Sequence, residues 1–204
     1  MAYETKSAIR REKLKEALID AAERTIDSEG LRGLKARELA QEVGCAVGAI
    51  YNVVSDLDDL VFAVNARTLA TLEKKIAASE RAPDSPVDRL VRLALAYTDF
   101  AAAHRLRWRA IFDHRPLAGR EIPEWYAADQ RRLFAYVEGP LEALRPGIAA
   151  DERALLARSL FSAVHGIVVL GLEEKLQLIP LPVLREQVKI LVSALGRGLA
   201  QTQK

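Results

Sequence analysis

Three histidines and one cysteine are the only imidazoles and the only thiol in a chain of 204 residues. His104, His114 and His165 stand too far apart to meet on one helical turn as metal ligands do, and no HExxH, GxSxG, GxxxxGKS or GxGxxG string occurs. Hydrolytic, metal-assisted and nucleotide chemistry have no motif to rest on. The expectation is a protein that is not an enzyme and uses no metal and no cofactor. Cys45, being alone, excludes an intramolecular disulfide and a cysteine zinc cluster, and it fits a reducing cytoplasm. Ahead of a helix start, it reads as a small packing residue.

The informative spacing lies in residues 36–53, ARELAQEVGCAVGAIYNV. Leu39 and Val43 are one helical turn apart, Ala40 is small where a second helix would cross, and Gly44 can take the positive φ that ends a helix tightly. Cys45, Ile50 and Val53 complete the apolar set. Left over is a short, mostly neutral face of Ala46, Val47, Gly48, Ala49 and Asn52, able to approach a groove closely. Two helices meeting at such a turn are the means by which a helix-turn-helix lays its second helix in the DNA major groove while the first braces the backbone. A helical hairpin that merely packs is the alternative. Helix-glycine-helix alone would favour that hairpin; the full set of small, apolar and glycine positions favours the reader.

The elements around this segment follow from composition and periodicity. Half of the residues are hydrophobic, 28% are charged and 6% are aromatic, with eleven Gly and eight Pro, a soluble globular balance rich in helix formers. The expected fold is all-α with about nine helices and no strand. Apolar stripes predict helices over residues 7–29, 36–43 and 46–54, then from an Asp56 N-cap to about 79. Pro83 and Pro86 bracket the clearest break. Beyond it the pattern predicts helices over 87–104, 108–114 and 123–145 with a break or kink at Gly139-Pro140, then 151 to about 176, and 183–199. The expected division is a helix-turn-helix domain over 1–58 and a larger domain over 59–204. The N-terminus has no signal-peptide pattern. The longest uncharged run, 159–172, is fourteen residues, short of the roughly 20 that span a bilayer.

Charge argues in two directions. The whole chain carries +2, yet residues 1–60 hold nine Lys/Arg against twelve Asp/Glu, the reverse of what a nucleic-acid reader should show. The excess of cations is local: Lys6, Arg10, Arg11, Lys13 and Lys15 face only Glu4 and Glu12 within the first fifteen residues.

The stretch GLRGLKARELAQEVGCAVGAIYNVVSDLDDLVFAV resembles the DNA-binding domain of the TetR family of transcriptional regulators, with Glu38-Leu39-Ala40, Gly44, Gly48, Ile50-Tyr51 and Leu60 carrying the match. The resemblance implies a homodimer that reads a two-fold-related double-stranded DNA operator. It also implies a C-terminal domain that binds a small molecule and moves the readers apart, most often in a repressor. AVHGIVVLGLEEKL, following RLRWRAIFDHR, is also similar to a subgroup named for a Trp-His-Gly signature, through His165-Gly166 with Val164 ahead of them. Lys35, Val47, Val54 and Leu57 stand where the family commonly has Thr, a basic residue, an aromatic and a phosphate-binding Lys.

Those departures shift DNA binding onto Arg10, Arg11, Lys35, Arg37, Tyr51 and backbone N–H groups, with Ala36, Ala46, Val47, Gly48, Ala49 and Asn52 completing the expected contact set. Tyr51 could donate to a phosphate or pack in the core, and Asn52 could pair with adenine or sit in solvent. For the effector, the expected lining is Tyr97, Phe100, His104, Trp108, Phe112, Trp125, Phe134, Phe161 and His165, suited to an apolar or aromatic molecule, although any one of them could be core alone. His165, a polar ring in an apolar run, needs a partner. Gly166, Gly171 and the Leu-rich last helix suit a dimer seam made by the last two long helices. The competing class is a helical architectural or binding protein of the same fold without sequence-specific reading, separable by its salt slope and specificity ratio.

Overall fold

Residues 2–80, 85–173 and 179–201 are described by this computed structural model, the first four of them by backbone alone. Among them are nine α-helices and no strand: α1 Ala2–Glu29, α2 Ala36–Val43, α3 Val47–Ile50, α4 Leu57–Ser79, α5 Pro86–Ala103, α6 Arg105–Asp113, α7 Glu124–Leu144, α8 Ala150–Gly171 and α9 Leu181–Gln201, with a 3-10 turn at Leu31–Gly33.

Local chemistry explains the boundaries. Gly30, at φ 72°, stops α1 in a conformation that costs other residues strain. Asp56 accepts the N–H of Asp59 at 3.2 Å while Asp59 accepts that of Ser55 at 2.7 Å, a reciprocal cap that launches α4. Ser85 caps α5 by accepting the Asp88 N–H at 3.1 Å, and Pro86 occupies the first helical position, where its missing donor costs nothing. α7 continues through Pro140.

Some expected limits shift. α1 begins at Ala2 rather than 7, and α6 begins at Arg105 because the His104 carbonyl already accepts the Trp108 N–H at 2.8 Å. α3 is a single turn, followed by a turn over 51–53 where continued helix was expected. Gly48, Asn52 and the β-branched Val53 and Val54 are weak helix formers, and the Asn52 and Val53 N–H groups bond three residues back, to Ala49 and Ile50. α8 ends at Gly171, with Leu172 in a turn, short of the expected 176; that position and Pro83 fall outside the described residues.

The chain forms two compact units, Met1–Thr68 with His104–Tyr126, and Leu69–Ala103 with Ala127–Lys204. The core of the first is built by Leu18, Ala22 and Ile26 of α1, Leu39 and Ala40 of α2, Ile50 of α3, Val53, Val54, Leu60 and Val64, with Ala110 of α6. In the second, Leu90, Leu93, Ala94, Tyr97, Phe100 and Ala101 of α5 are buried, together with Val164 and Val168 of α8 and Leu184, Val188 and Val192 of α9. Within this second unit close approach needs glycine at two places: a Cβ at Gly171 would stand 2.6 Å from Leu184, and one at Gly196 would stand 3.1 Å from Val87. Gly171 therefore serves packing inside the subunit. A Cβ at Gly166 would meet open space.

Candidate nucleic-acid interface and ligand cluster

Where α2 ends, Gly44 is left-handed at φ 75°; its N–H reaches the Gln41 carbonyl at 3.3 Å and the Cys45 N–H reaches that of Ala40 at 2.9 Å. This double bond pattern closes the helix and redirects the chain into α3 with its carbonyls satisfied. Ile50 is fully buried and Val53 and Val54 nearly so, which fixes how the short α3 and its turn are rotated. The remaining side chains face outward: Ala46, Val47, Gly48, Tyr51 and Asn52 are exposed, and Ala49 is half-buried. Tyr51 at 51% exposure is not a core residue. Cys45, half-buried, packs against the core as a free thiol.

At the start of α2, Lys35 and Arg37 are exposed and Ala36 half-buried. Lys35 flanks the helix start in an extended conformation and supplies no side-chain cap, so the first N–H groups of α2 stay open to an acceptor. Lys35 Nζ instead bonds Glu38 at 2.8 Å, and that hydrogen bond and charge raise its pKa above the ordinary 10.5. Arg10 and Arg11 are exposed on α1. These two and Arg37 make no ion pair among the described residues.

The acidic balance of residues 1–60 has a structural answer. Arg67 of α4 bonds Glu16, Asp20 and Glu23 at 2.6, 2.7 and 3.0 Å, and Arg107 of α6 pairs with Glu23 at 2.5 Å and Asp27 at 2.9 Å. Arg24 holds Glu42 at 2.7 Å, tying α1 to α2. Counted over the packing unit rather than over residues 1–60, fifteen Lys/Arg stand against fifteen Asp/Glu. Most of the acids are thus paired within the unit, several to one guanidinium, while Arg10, Arg11 and Arg37 on its surface form no ion pair among the described residues.

A clamp that sequence reasoning missed sits just after the turn. Arg120 bonds both Asp56 and Asp59, and its guanidinium lies 5.6 Å from the centre of the Phe62 ring. His114 Nε2 meets Asp58 at 2.8 Å, and the Leu117 N–H donates to the other oxygen of Asp58 at 3.0 Å. Burial pushes Asp58 up, but the His114 bond, the Leu117 N–H and the charges of His114 and Arg120 outweigh it and hold the carboxyl below its ordinary value. The loop after α6 therefore grips the first turn of α4. Partners 56 to 64 residues apart leave no local signal; only the run of aspartates facing a basic loop hinted at it.

The expected effector residues divide between the units. In the second, Tyr97 and His165 share a hydrogen bond of 2.6 Å between the phenol and Nδ1. Phe161 stacks on His165 at 5.4 Å and meets Tyr97 at 5.4 Å and Phe134 at 5.5 Å edge-on, so these four form one aromatic cluster from α5, α7 and α8. Phe100 is buried in the same unit. His104, Trp108, Phe112 and Trp125 belong to the first unit. There Trp108 packs on Phe112 at 5.7 Å, Arg107 donates to His104 Nδ1 at 3.1 Å, and Trp125 is half exposed beside Tyr126.

Residues 90–195 match the family model of the tetracyclin repressor-like C-terminal domain. An uncharacterized HTH-type transcriptional regulator of Mycobacterium tuberculosis, Rv0681, is 33% identical over 169 residues, 81% of this chain and 73% of that protein. A second regulator of that organism, Rv1816, is 24% identical over 70% of this chain and 60% of its own length. Among solved structures, a protein of unknown function from Rhodococcus sp. RHA1 superposes with a TM-score of 0.70 and 26% identity, covering 92% of this chain and 96% of that one. RolR, solved in complex with resorcinol, shares the fold at a TM-score of 0.64 and 16% identity, over 95% of this chain and 96% of its own. The turn at Gly44 and its exposed α3, the all-helical fold, the matched C-terminal domain and the identity to Rv0681 agree: this chain belongs to the TetR family of transcriptional regulators, DNA-binding proteins and not enzymes.

Proposed function

We propose that this protein is a cytoplasmic, ligand-responsive repressor that binds a two-fold-related operator as a homodimer and releases it when a small molecule binds the C-terminal domain. One observation carries the reading: an exposed, uncharged α3 stands beyond the Gly44 turn on a unit most of whose acids are paired internally and whose Arg10, Arg11 and Arg37 are in no ion pair among the described residues. Arginine contacts to phosphate fix register, and the neutral edge enters the groove. The Tyr97–Phe134–Phe161–His165 cluster supports an aromatic or apolar effector, in keeping with the resorcinol found on RolR.

The second copy docks on α8 and α9. Leu155 and Leu170 of α8 and Val183 and Ile190 of α9 are about half exposed or more, and only 28% of the most apolar window of α8, with a mean hydropathy of 1.7, is buried by its own chain. Its length and composition would also allow a membrane span. The open space at Gly166, between Ser162 and Leu170 on that outward face, lets a partner helix approach closely. Coupling follows if the effector favours one spacing of the two readers.

Selection of bound duplexes from a random DNA library at physiological salt tests the proposal. An enriched inverted repeat is expected. No enrichment from a folded dimer, with or without small aromatic compounds, would overturn it in favour of an architectural role.

A further inference from the structure

We propose that α3 reads its half-site through thymine methyl groups and adenine, and reads no guanine. The inference rests on the DNA-reading function proposed above and names the base chemistry of that same site. Thirteen consecutive residues, 43–55, carry no charge. Guanine is selected in the major groove by a bidentate Arg or Lys on O6 and N7, and no such side chain exists on α3 or its turn. Lys35 and Arg37 stand at the start of α2, and Lys35 is engaged by Glu38. What α3 presents is apolar: the isopropyl group of Val47 is 41% exposed and the methyl of Ala46 is exposed beside it.

Those groups complement the C5-methyl of thymine, the one apolar feature on the major-groove edge of a base pair, and they leave the amino donor of cytosine unpaired. Asn52, exposed at the end of the turn, carries the stretch's one amide, the group that pairs with N6 and N7 of adenine. Burial of Ile50, Val53 and Val54 leaves α3 no rotation that would bring other side chains to the groove. Tyr51, 51% exposed, extends the face with a hydroxyl suited to a phosphate oxygen.

The test is a uracil scan. From the repeat selected by the full-length protein, each thymine is replaced singly by deoxyuridine, which removes the methyl group and leaves base pairing and the minor groove unchanged. Affinity should fall about fourfold at each thymine whose methyl is buried against α3, the effect of one methylene-sized group. The Val47→Ala variant, altered at an exposed position and checked by circular dichroism, should lose that sensitivity at one thymine per half-site. A repeat whose α3-contacted pairs are G·C, or a uracil scan with no effect, would overturn the inference while leaving specific DNA reading intact. Full sensitivity retained by Val47→Ala would overturn the assignment of Val47. A library that yields no enriched sequence refutes the proposed function, and this inference falls with it.

Discussion

Replacing Arg120 by alanine removes the one cation that two aspartates at the start of α4 share. Its side chain is 20% exposed and those of Asp56 and Asp59 are 29% and 31%, so each pair lies between a surface bridge of about 0.2–1 kcal/mol and a buried one whose disruption costs about 3–5 kcal/mol. About 1 kcal/mol for each pair, with about 0.5 kcal/mol for the guanidinium against Phe62, gives about 2.5 kcal/mol. Part is retained, because Asp56 and Asp59 keep the backbone bonds that cap the helix, so the net loss is about 2 kcal/mol. Both tryptophans, Trp108 and Trp125, lie in the same unit, so their fluorescence during urea unfolding reports it directly. With m of about 2–3 kcal/mol/M the midpoint should fall by about 0.7–1 M at fixed protein concentration. A change below about 0.5 kcal/mol, or an equal loss when Asp56 and Asp59 are already Asn, would refute the reasoning.

Three further outcomes follow from the same structure. Gly44→Ala should cost about 1 kcal/mol, all of it from the left-handed backbone since a Cβ there meets nothing within 4 Å, and Gly44→Asn should cost less in the same urea titration. Asp58 has a depressed pKa, so its stabilising contribution is complete well above the ordinary 3.8 and is lost as pH falls through its lower folded value; Asp58→Asn should flatten the acid limb of the stability profile there. With α8 and α9 as the proposed dimer seam, Leu170→Glu together with Ile190→Glu should convert dimer to monomer in sedimentation and weaken operator binding at least about tenfold, two charges being costly in an apolar contact.

The turn at the heart of the reader was legible because its determinants are local. Ala40, Gly44, Ile50 and Val53 lie within fourteen residues, and each acts on its immediate neighbours. The Asp56 cap was legible for the same reason. The short extent of α3 was not, because the apolar spacing of Ile50, Val53 and Val54 suits a continued helix as well as a turn, and only the weak helix propensity of Gly48, Asn52 and the valines favours the turn. The electrostatics were misleading in sequence order: the window 1–60 has an acidic balance only because Arg67, Arg107, His114 and Arg120, which answer its aspartates and glutamates, come later in the chain. The aromatic set met the same limit. Helical spacing placed Tyr97 and Phe100 inward on α5, but the assignment of Tyr97 to one unit and of Trp108 to the other is set by contacts distant in the sequence.

The most direct test of the account is the ratio of affinities for the selected inverted repeat and for a scrambled duplex of the same composition, measured with the full-length protein at about 150 mM salt. The expected result is a ratio of at least about 10³, lost when either half-site alone is scrambled. A ratio near one, with a salt slope equal on both duplexes, would contradict the central claim that this protein reads sequence.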